Sequence, residues 1–318
     1  MNQNLVFDLS RHIEVAEKVL PGTARRAGAR LIELDPTRRI NPEIFTCYFQ
    51  IADGIRQQDA GRVASGLGGL TGLINSAPYA EHFSVGPLRY DRTEAEILDF
   101  LCGPEGPRSQ RGEFPEMWVP NDDDVAAGQK WVTESLLVLG DLDSDLAAEF
   151  GELAAELRLF RGRAARGITS VRSFGLILLR LPDRGQESSE PLLYFLDHIA
   201  HETSHMVLHT LMNIEPLVIG GHDVRYSAPI RPDHRPLYGI YHATFVLSRI
   251  TRLLARLAAH DPRPPVLSAL QIQYERFGKG IATLAAHATL TATGRKVLES
   301  CERLVESELV GSAGAAVR

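Results

Sequence analysis

Apolar residues recur every three to four positions along most of the chain, which is the spacing of one face of an α-helix. The dipeptide Asn41-Pro42 marks one helix start, because asparagine caps a helix well and proline suits its first turn. The predicted helices cover residues 9–19, 42–57, 92–102, 125–139, 144–162, 190–213, 236–258, 265–285 and 291–309.

Two segments depart from the helical pattern. Residues 61–72 contain five glycines, which weaken a helix interior, and we interpret them as a loop or a site of close packing. Residues 168–181 carry an apolar run broken by Gly175, which predicts a strand pair that turns near that glycine. The predicted fold class is therefore mainly α, with a small β element before the helix at 190–213.

The polar, proline-rich stretch at 103–124 is the best candidate for a long loop. We expect an N-terminal helical part at 1–163 and a second part at 164–318 that carries the chemistry described below. The two parts can equally form one compact domain.

Composition narrows the classes of function. The net charge of −6 and the pI near 6.0 lack the basic surplus that nucleic-acid binding needs. Three scattered cysteines form no disulfide framework, which favours a reducing cytoplasm. The first residues do not have the pattern of a secretory signal, and no apolar run approaches the length of a membrane span. Nothing in the pattern indicates an oligomeric state.

The segment at 201–205 reads His-Glu-Thr-Ser-His. On a helix, residues four apart share a face, so His201 and His205 can bind one metal ion while Glu202 reaches a group bound to it. Seven of the eleven histidines lie between positions 198 and 242, which strengthens the prediction. We expect His198 and His209 to be ordinary partly buried side chains, or partners that orient a ligand.

A catalytic ion needs a third protein ligand and open positions. The glycine and histidine that would extend the motif in one peptidase class are replaced by Leu208 and Leu211. The helix at 236–258 contains no acidic residue but does contain His242, which is the predicted third ligand, with Asp233 as its rival. Three histidines can hold zinc or ferrous iron, so the metal stays open.

Arginines cluster near the predicted third ligand. Arg231 and Arg235 precede the helix that carries His242, and Arg249 lies seven residues after it on the same face. Arginine suits bidentate binding of a carboxylate, so all three are candidates to bind a carboxylate co-substrate such as 2-oxoglutarate. The alternative for each is an ordinary ion pair.

Three pieces in order resemble the HExxH-motif proteins that are encoded beside ribosomally made peptide natural products. The resemblance covers about residues 165–310. Its pieces are Leu196–Leu208 around the motif, Tyr226–Pro229 with Arg231 and Asp233, and Arg235–Leu237 with Gly239 and His242.

This resemblance implies an iron- and 2-oxoglutarate-dependent oxygenase that uses O2 to hydroxylate a side-chain Cβ of a peptide. It implies that His201, His205 and His242 hold Fe(II), and that Arg231 and Arg235 contact 2-oxoglutarate or the protein. The N-terminal part would help to recognise the peptide. The alternatives are a zinc peptidase or amidohydrolase with Glu202 as general base, and a helical binding protein with a structural or vestigial metal site.

Overall fold

The computed structural model of the chain describes residues 11–18, 22, 24, 28, 33–35, 37–102, 117–163, 165–183, 190–221, 223–230 and 232–315. Over these ranges the protein is mainly α-helical with a small sheet, as the sequence predicts. Residues 11–18 are helical, inside the helix predicted at 9–19. None of the described helices has the length and apolar character that crossing a membrane requires.

The chain divides into two compact units. Unit 1 is formed by residues 1–129 and 151–181, and unit 2 by residues 130–150 and 182–318. The division differs from a single boundary at residue 163, because strands after that residue pair in the same sheet as a strand before it.

Unit 1 contains three helices with described bounds: α1 Pro42–Gln57, α2 Ala60–Ser76 and α3 Arg92–Cys102. Helices α1 and α3 are confirmed as predicted, and the Asn41 side chain accepts a hydrogen bond from the Glu43 amide as an N-cap does. The loop interpretation of residues 61–72 is wrong, since they lie within α2.

Close packing explains the glycines of α2. A Cβ at Gly66 would lie 2.8 Å from Ile51 Cγ1 and 3.0 Å from the Cys47 carbonyl oxygen on α1. A Cβ at Gly69 would collide with the guanidinium of Arg92. The helix tolerates the low propensity of glycine because these positions let α2 approach its neighbours, and tertiary packing outweighs propensity.

We expect Gly66→Ala to destabilise the protein by about 1–3 kcal/mol, because the added methyl overpacks the contact with α1. Gly68→Ala is the matched control on the same helix, where a Cβ meets nothing within 4 Å. This control should be neutral or stabilise by about 0.5–1 kcal/mol through helix propensity. Urea denaturation followed by circular dichroism measures both, and equal effects of the two substitutions would contradict the packing explanation.

The sheet of unit 1 has the order β1-β3-β5-β4, with β2 paired to β3. Strands β1, β3 and β5 are parallel, whereas β4 runs antiparallel to β5 and β2 antiparallel to β3. The strands are β1 Ser84–Pro87, β2 Met117–Trp118, β3 Glu156–Gly162, β4 Gly167–Thr169 and β5 Leu176–Arg180.

Two helices contain the positions at which the sequence passes from one unit to the other. They are α4 Asp122–Leu142 and α5 Ser144–Leu153. The prediction of one helix over 144–162 is wrong beyond residue 153, because Leu157 and Phe160 belong to β3 and are fully buried. Leu157 and Phe160 continue the helical spacing of Leu146, Phe150 and Leu153, so the local pattern does not show where the helix ends.

The strand pair predicted at 168–181 is confirmed as β4 and β5. A short 3-10 turn, Val171–Ser173, leads into Gly175, whose φ is +96°. A side chain there would be strained, and a Cβ would also lie 3.2 Å from the Leu153 carbonyl oxygen.

Unit 2 is built from four long helices that match the predictions for 190–213, 236–258, 265–285 and 291–309. Helix α7 packs against the other three, and the Tyr241 hydroxyl on it donates a 2.8 Å hydrogen bond to the Gly294 carbonyl. A two-stranded hairpin precedes α7. The elements are α6 Pro191–Met212, β6 Tyr226–Ser227, β7 His234–Arg235, α7 Leu237–His260, α8 Pro264–His287 and α9 Ala292–Ala315.

Candidate metal centre

The two histidines of the HExxH motif lie side by side on α6. The Nε2 atoms of His201 and His205 are 3.1 Å apart and the ring centroids 4.9 Å apart. Metal–imidazole bonds are about 2.0–2.1 Å long, so two nitrogens on one ion stand about 3 Å apart. The pair is therefore spaced as two ligands of one ion would be.

His242 lies beside this pair, on α7. Its ring centroid is 6.0 Å from that of His205, but its Nε2 faces the Met212 sulfur at 2.9 Å. Within the described ranges, no three side chains of His, Cys, Asp or Glu converge as metal ligands. His242 therefore lies near the pair, but the structure does not bring its nitrogen together with the other two, and a shared ion would require its ring to turn from Met212.

Two imidazoles of this cluster, those of His209 and His242, are held in the neutral form. Burial lowers the pKa of His209 to about 4. Burial also holds the pKa of His242 well below its usual range, helped by the neighbouring rings of His205 and His209. Neutral imidazole is the form that coordinates a metal ion.

His209, Tyr238 and Met212 lie around His242, and the sequence analysis named only His209, as an ordinary side chain or a partner that orients a ligand. The His209 ring is 5.6 Å away in an edge-to-face arrangement, and the Tyr238 ring is 5.3 Å away. Tyr238 and Met212 were not singled out. A signal was present in the spacing, because His209 and Met212 follow His205 by four and seven residues on one helix face, and Tyr238 precedes His242 by four.

His198 has a separate environment on α6. Its Nδ1 lies 2.7 Å from the Tyr194 carbonyl oxygen, and its ring stacks on Tyr194 with centroids 4.3 Å apart.

Glu202 is 3% exposed, whereas His201 and His205 beside it are half-buried. The position of Glu202 one residue after His201 keeps it next to the candidate metal ligands.

Acidic partners engage the two predicted arginines that the structure describes. The Arg235 Nε lies 2.6 Å from Asp233 Oδ2, so Asp233, the alternative third ligand, forms an ion pair. The Arg249 Nε donates to the Ser204 hydroxyl at 3.0 Å, and its terminal nitrogen pairs with Glu149. Arg231 lies outside the described residues.

Arg249 therefore links three helices of the unit. Ser204 belongs to the HExxH helix α6, Glu149 to α5, and Arg249 itself to α7. Burial lowers the pKa of its guanidinium. These contacts fit the alternative of an ordinary ion pair, and the co-substrate role of Arg249 stays a prediction.

Comparison with known proteins adds no assignment to this geometry. No protein-family model matches the chain, and no curated protein matches it significantly.

Proposed function

We propose that this protein is an iron- and 2-oxoglutarate-dependent oxygenase that hydroxylates a side-chain Cβ of a ribosomally made peptide. The observation that carries the proposal is the pair of imidazole nitrogens 3.1 Å apart on α6, with a third imidazole, His242, on the adjacent helix. The sequence resemblance supports the peptide substrate, and the scarcity of cysteine supports a cytoplasmic enzyme.

His201, His205 and His242 would hold Fe(II), and three protein ligands leave positions open for a bidentate co-substrate and O2. When bound, the iron supplies the oxidation that replaces a Cβ hydrogen of the peptide by hydroxyl, with 2-oxoglutarate converted to succinate and CO2.

We assign Arg235, among the described arginines, as the residue that would receive the co-substrate. Its side chain is partly exposed, and its ion pair with Asp233 uses Nε. The two terminal nitrogens can donate in parallel to a carboxylate, which is how guanidinium groups recognise such ligands. Asp233 would then hold the guanidinium in place and would not serve as a metal ligand.

The two functions assign Glu202 different roles. A peptidase uses this glutamate to take a proton from metal-bound water. An oxygenase needs no such base, so Glu202 would position its neighbours instead.

The first test is anaerobic binding of Fe(II) and 2-oxoglutarate to the purified chain, followed by visible absorption. A chelated ferrous 2-oxoglutarate complex has a metal-to-ligand charge-transfer band that requires no peptide. We expect the band in the wild type and its loss in His242→Ala. Absence of the band in a protein that binds zinc tightly and cleaves peptides would replace the proposal by the hydrolase.

We expect Glu202→Gln to keep succinate formation from 2-oxoglutarate and O2 within about tenfold of the wild type, because no general base is required. Removing a general base usually costs about 10²–10⁴-fold in rate. A loss of that size, with metal content unchanged, would contradict the role assigned to Glu202.

A further inference from the structure

The ring of His242 is turned towards a sulfur atom at the end of the HExxH helix. Its Nε2 lies 2.9 Å from Sδ of Met212, which is the last residue of α6. Three aromatic rings also surround His242, at centroid distances of 5.3, 5.6 and 6.0 Å, and they belong to Tyr238, His209 and His205. Met212 thus engages the nitrogen that a metal ion would use.

The chemistry of the two groups decides which of them donates. A thioether sulfur has no hydrogen to give and can only accept, so in this contact Nε2 of His242 is the donor. A neutral imidazole has one nitrogen that donates and one that carries a free lone pair, and here the lone pair is on Nδ1. Nε2 can therefore bind an ion only after the ring has turned from Met212 and the proton has moved to Nδ1.

We infer that Met212 is a positioning residue whose sulfur competes with a metal ion for Nε2 of His242. This inference rests on the proposed metal site. It assigns to Met212 a cost in metal affinity, because the ion must break the contact before His242 can join His201 and His205. The expected cost is about 2–12-fold, which corresponds to the net 0.5–1.5 kcal/mol of a typical hydrogen bond.

Met212 also has a packing role, which a test of its sulfur has to preserve. Its side chain is partly buried and packs against an apolar cluster of unit 2 that includes Leu208, Tyr241 and Phe245. Leucine is close to methionine in volume, and cores usually tolerate this exchange. Met212→Leu therefore keeps an apolar side chain against the cluster and removes the sulfur.

The experiment is titration of the full chain with Co(II), read by competition with a chromophoric chelator and by visible d–d absorption. We expect Met212→Leu to bind Co(II) about 2–12-fold more tightly than the wild type. The d–d spectrum at saturation should not change, because both proteins would then use the same ligands. Met206→Leu is the matched control, since Met206 lies on the same helix and is 1% exposed, and it should bind like the wild type.

A second background separates competition for His242 from a general effect of the substitution. In His242→Ala the nitrogen for which the sulfur competes is absent. We therefore expect Met212→Leu to change the Co(II) affinity of this background by less than about twofold, as a double-mutant cycle requires of two residues that act on each other. A residue that only supports the fold would produce the same change in both backgrounds.

Three results would overturn the inference. Unchanged affinity in Met212→Leu would show that the sulfur does not compete. Weaker binding with an altered spectrum would make the sulfur itself a metal ligand. An equal gain in the His242→Ala background would mean that the substitution acts elsewhere in the site. Thermal melting identifies a variant that fails to fold, and Met212→Ile, which also lacks the sulfur, then takes the place of Met212→Leu.

The inference and the proposed function can fail separately. Failure of the wild type to bind Co(II) would refute the metal site, and the inference with it. The predicted gain in Met212→Leu, together with no charge-transfer band from Fe(II) and 2-oxoglutarate, would refute the oxygenase and support the competition between sulfur and metal.

Discussion

Replacing His205 by alanine should weaken Fe(II) or Co(II) binding by roughly 10²–10³-fold and abolish succinate formation. The apparent free energy of tightly bound metal in a four-ligand site is about 10–16 kcal/mol, so one ligand accounts for roughly 3–4 kcal/mol. His205 should show the largest effect among the histidines, because its ring contacts those of His201, His209 and His242. Replacing His205 removes the ring that lies between those of the other three histidines.

His260→Ala is the matched control, since this histidine lies exposed at the C-terminal end of α7. Isothermal titration with Co(II) under nitrogen measures the affinity of both variants. Retention of wild-type affinity by His205→Ala would show that the motif does not hold the metal, and equal losses in both variants would indicate a general effect on folding.

Arg172→Met should destabilise unit 1 by about 3 kcal/mol. Nη1 of Arg172 lies 2.7 Å from Asp53 Oδ2 and 2.7 Å from Glu96 Oε1, and all three side chains are buried. Methionine fills a similar volume but leaves two carboxylates without this cation. Breaking a buried pair by removing one partner costs about 3–5 kcal/mol, and we expect the lower value because Arg62 also pairs with Glu96 at 2.6 Å.

Arg56→Met is the control for the charge change. Arg56 pairs with the same Asp53 at 2.9 Å, but its side chain is 66% exposed, and exposed pairs contribute about 0–1 kcal/mol. Hydrogen exchange of peptides from α1 and β5 across a urea series measures the stability of unit 1 by itself. Equal losses in the two variants would mean that burial does not decide the strength of this network.

Local periodicity predicted the helices well and the sheet poorly. The long helices of unit 2 carry continuous apolar stripes, which are encoded within each segment. The strand β3 was misassigned because its apolar residues continue the helical spacing of α5. Pairing with β1, which lies far away in sequence, and with β5, which follows after β4, makes it a strand. The glycines of α2 were interpreted as a loop for a similar reason. The packing against α1 that requires Gly66 cannot be read from the segment itself.

The candidate site also contains one contact that the sequence predicts and others that it does not. The approach of His201 and His205 follows from their four-residue spacing on one helix. That Arg249 binds Ser204 and Glu149 depends on which helices meet. Arg235 and Asp233 are only two residues apart, and their pairing depends on the local fold of the hairpin. The sequence shows these charges but could not assign their partners.

The interleaved order of the two units has a consequence for synthesis on the ribosome. The sheet of unit 1 cannot be completed until β5, ending at Arg180, has emerged. By then residues 130–150, which belong to unit 2, have already left the ribosome without α7 to pack against. Domains generally fold as units from the N-terminal side during translation. In this chain unit 1 can be completed only around an inserted segment, and that segment must wait for the second half of the chain before unit 2 is complete.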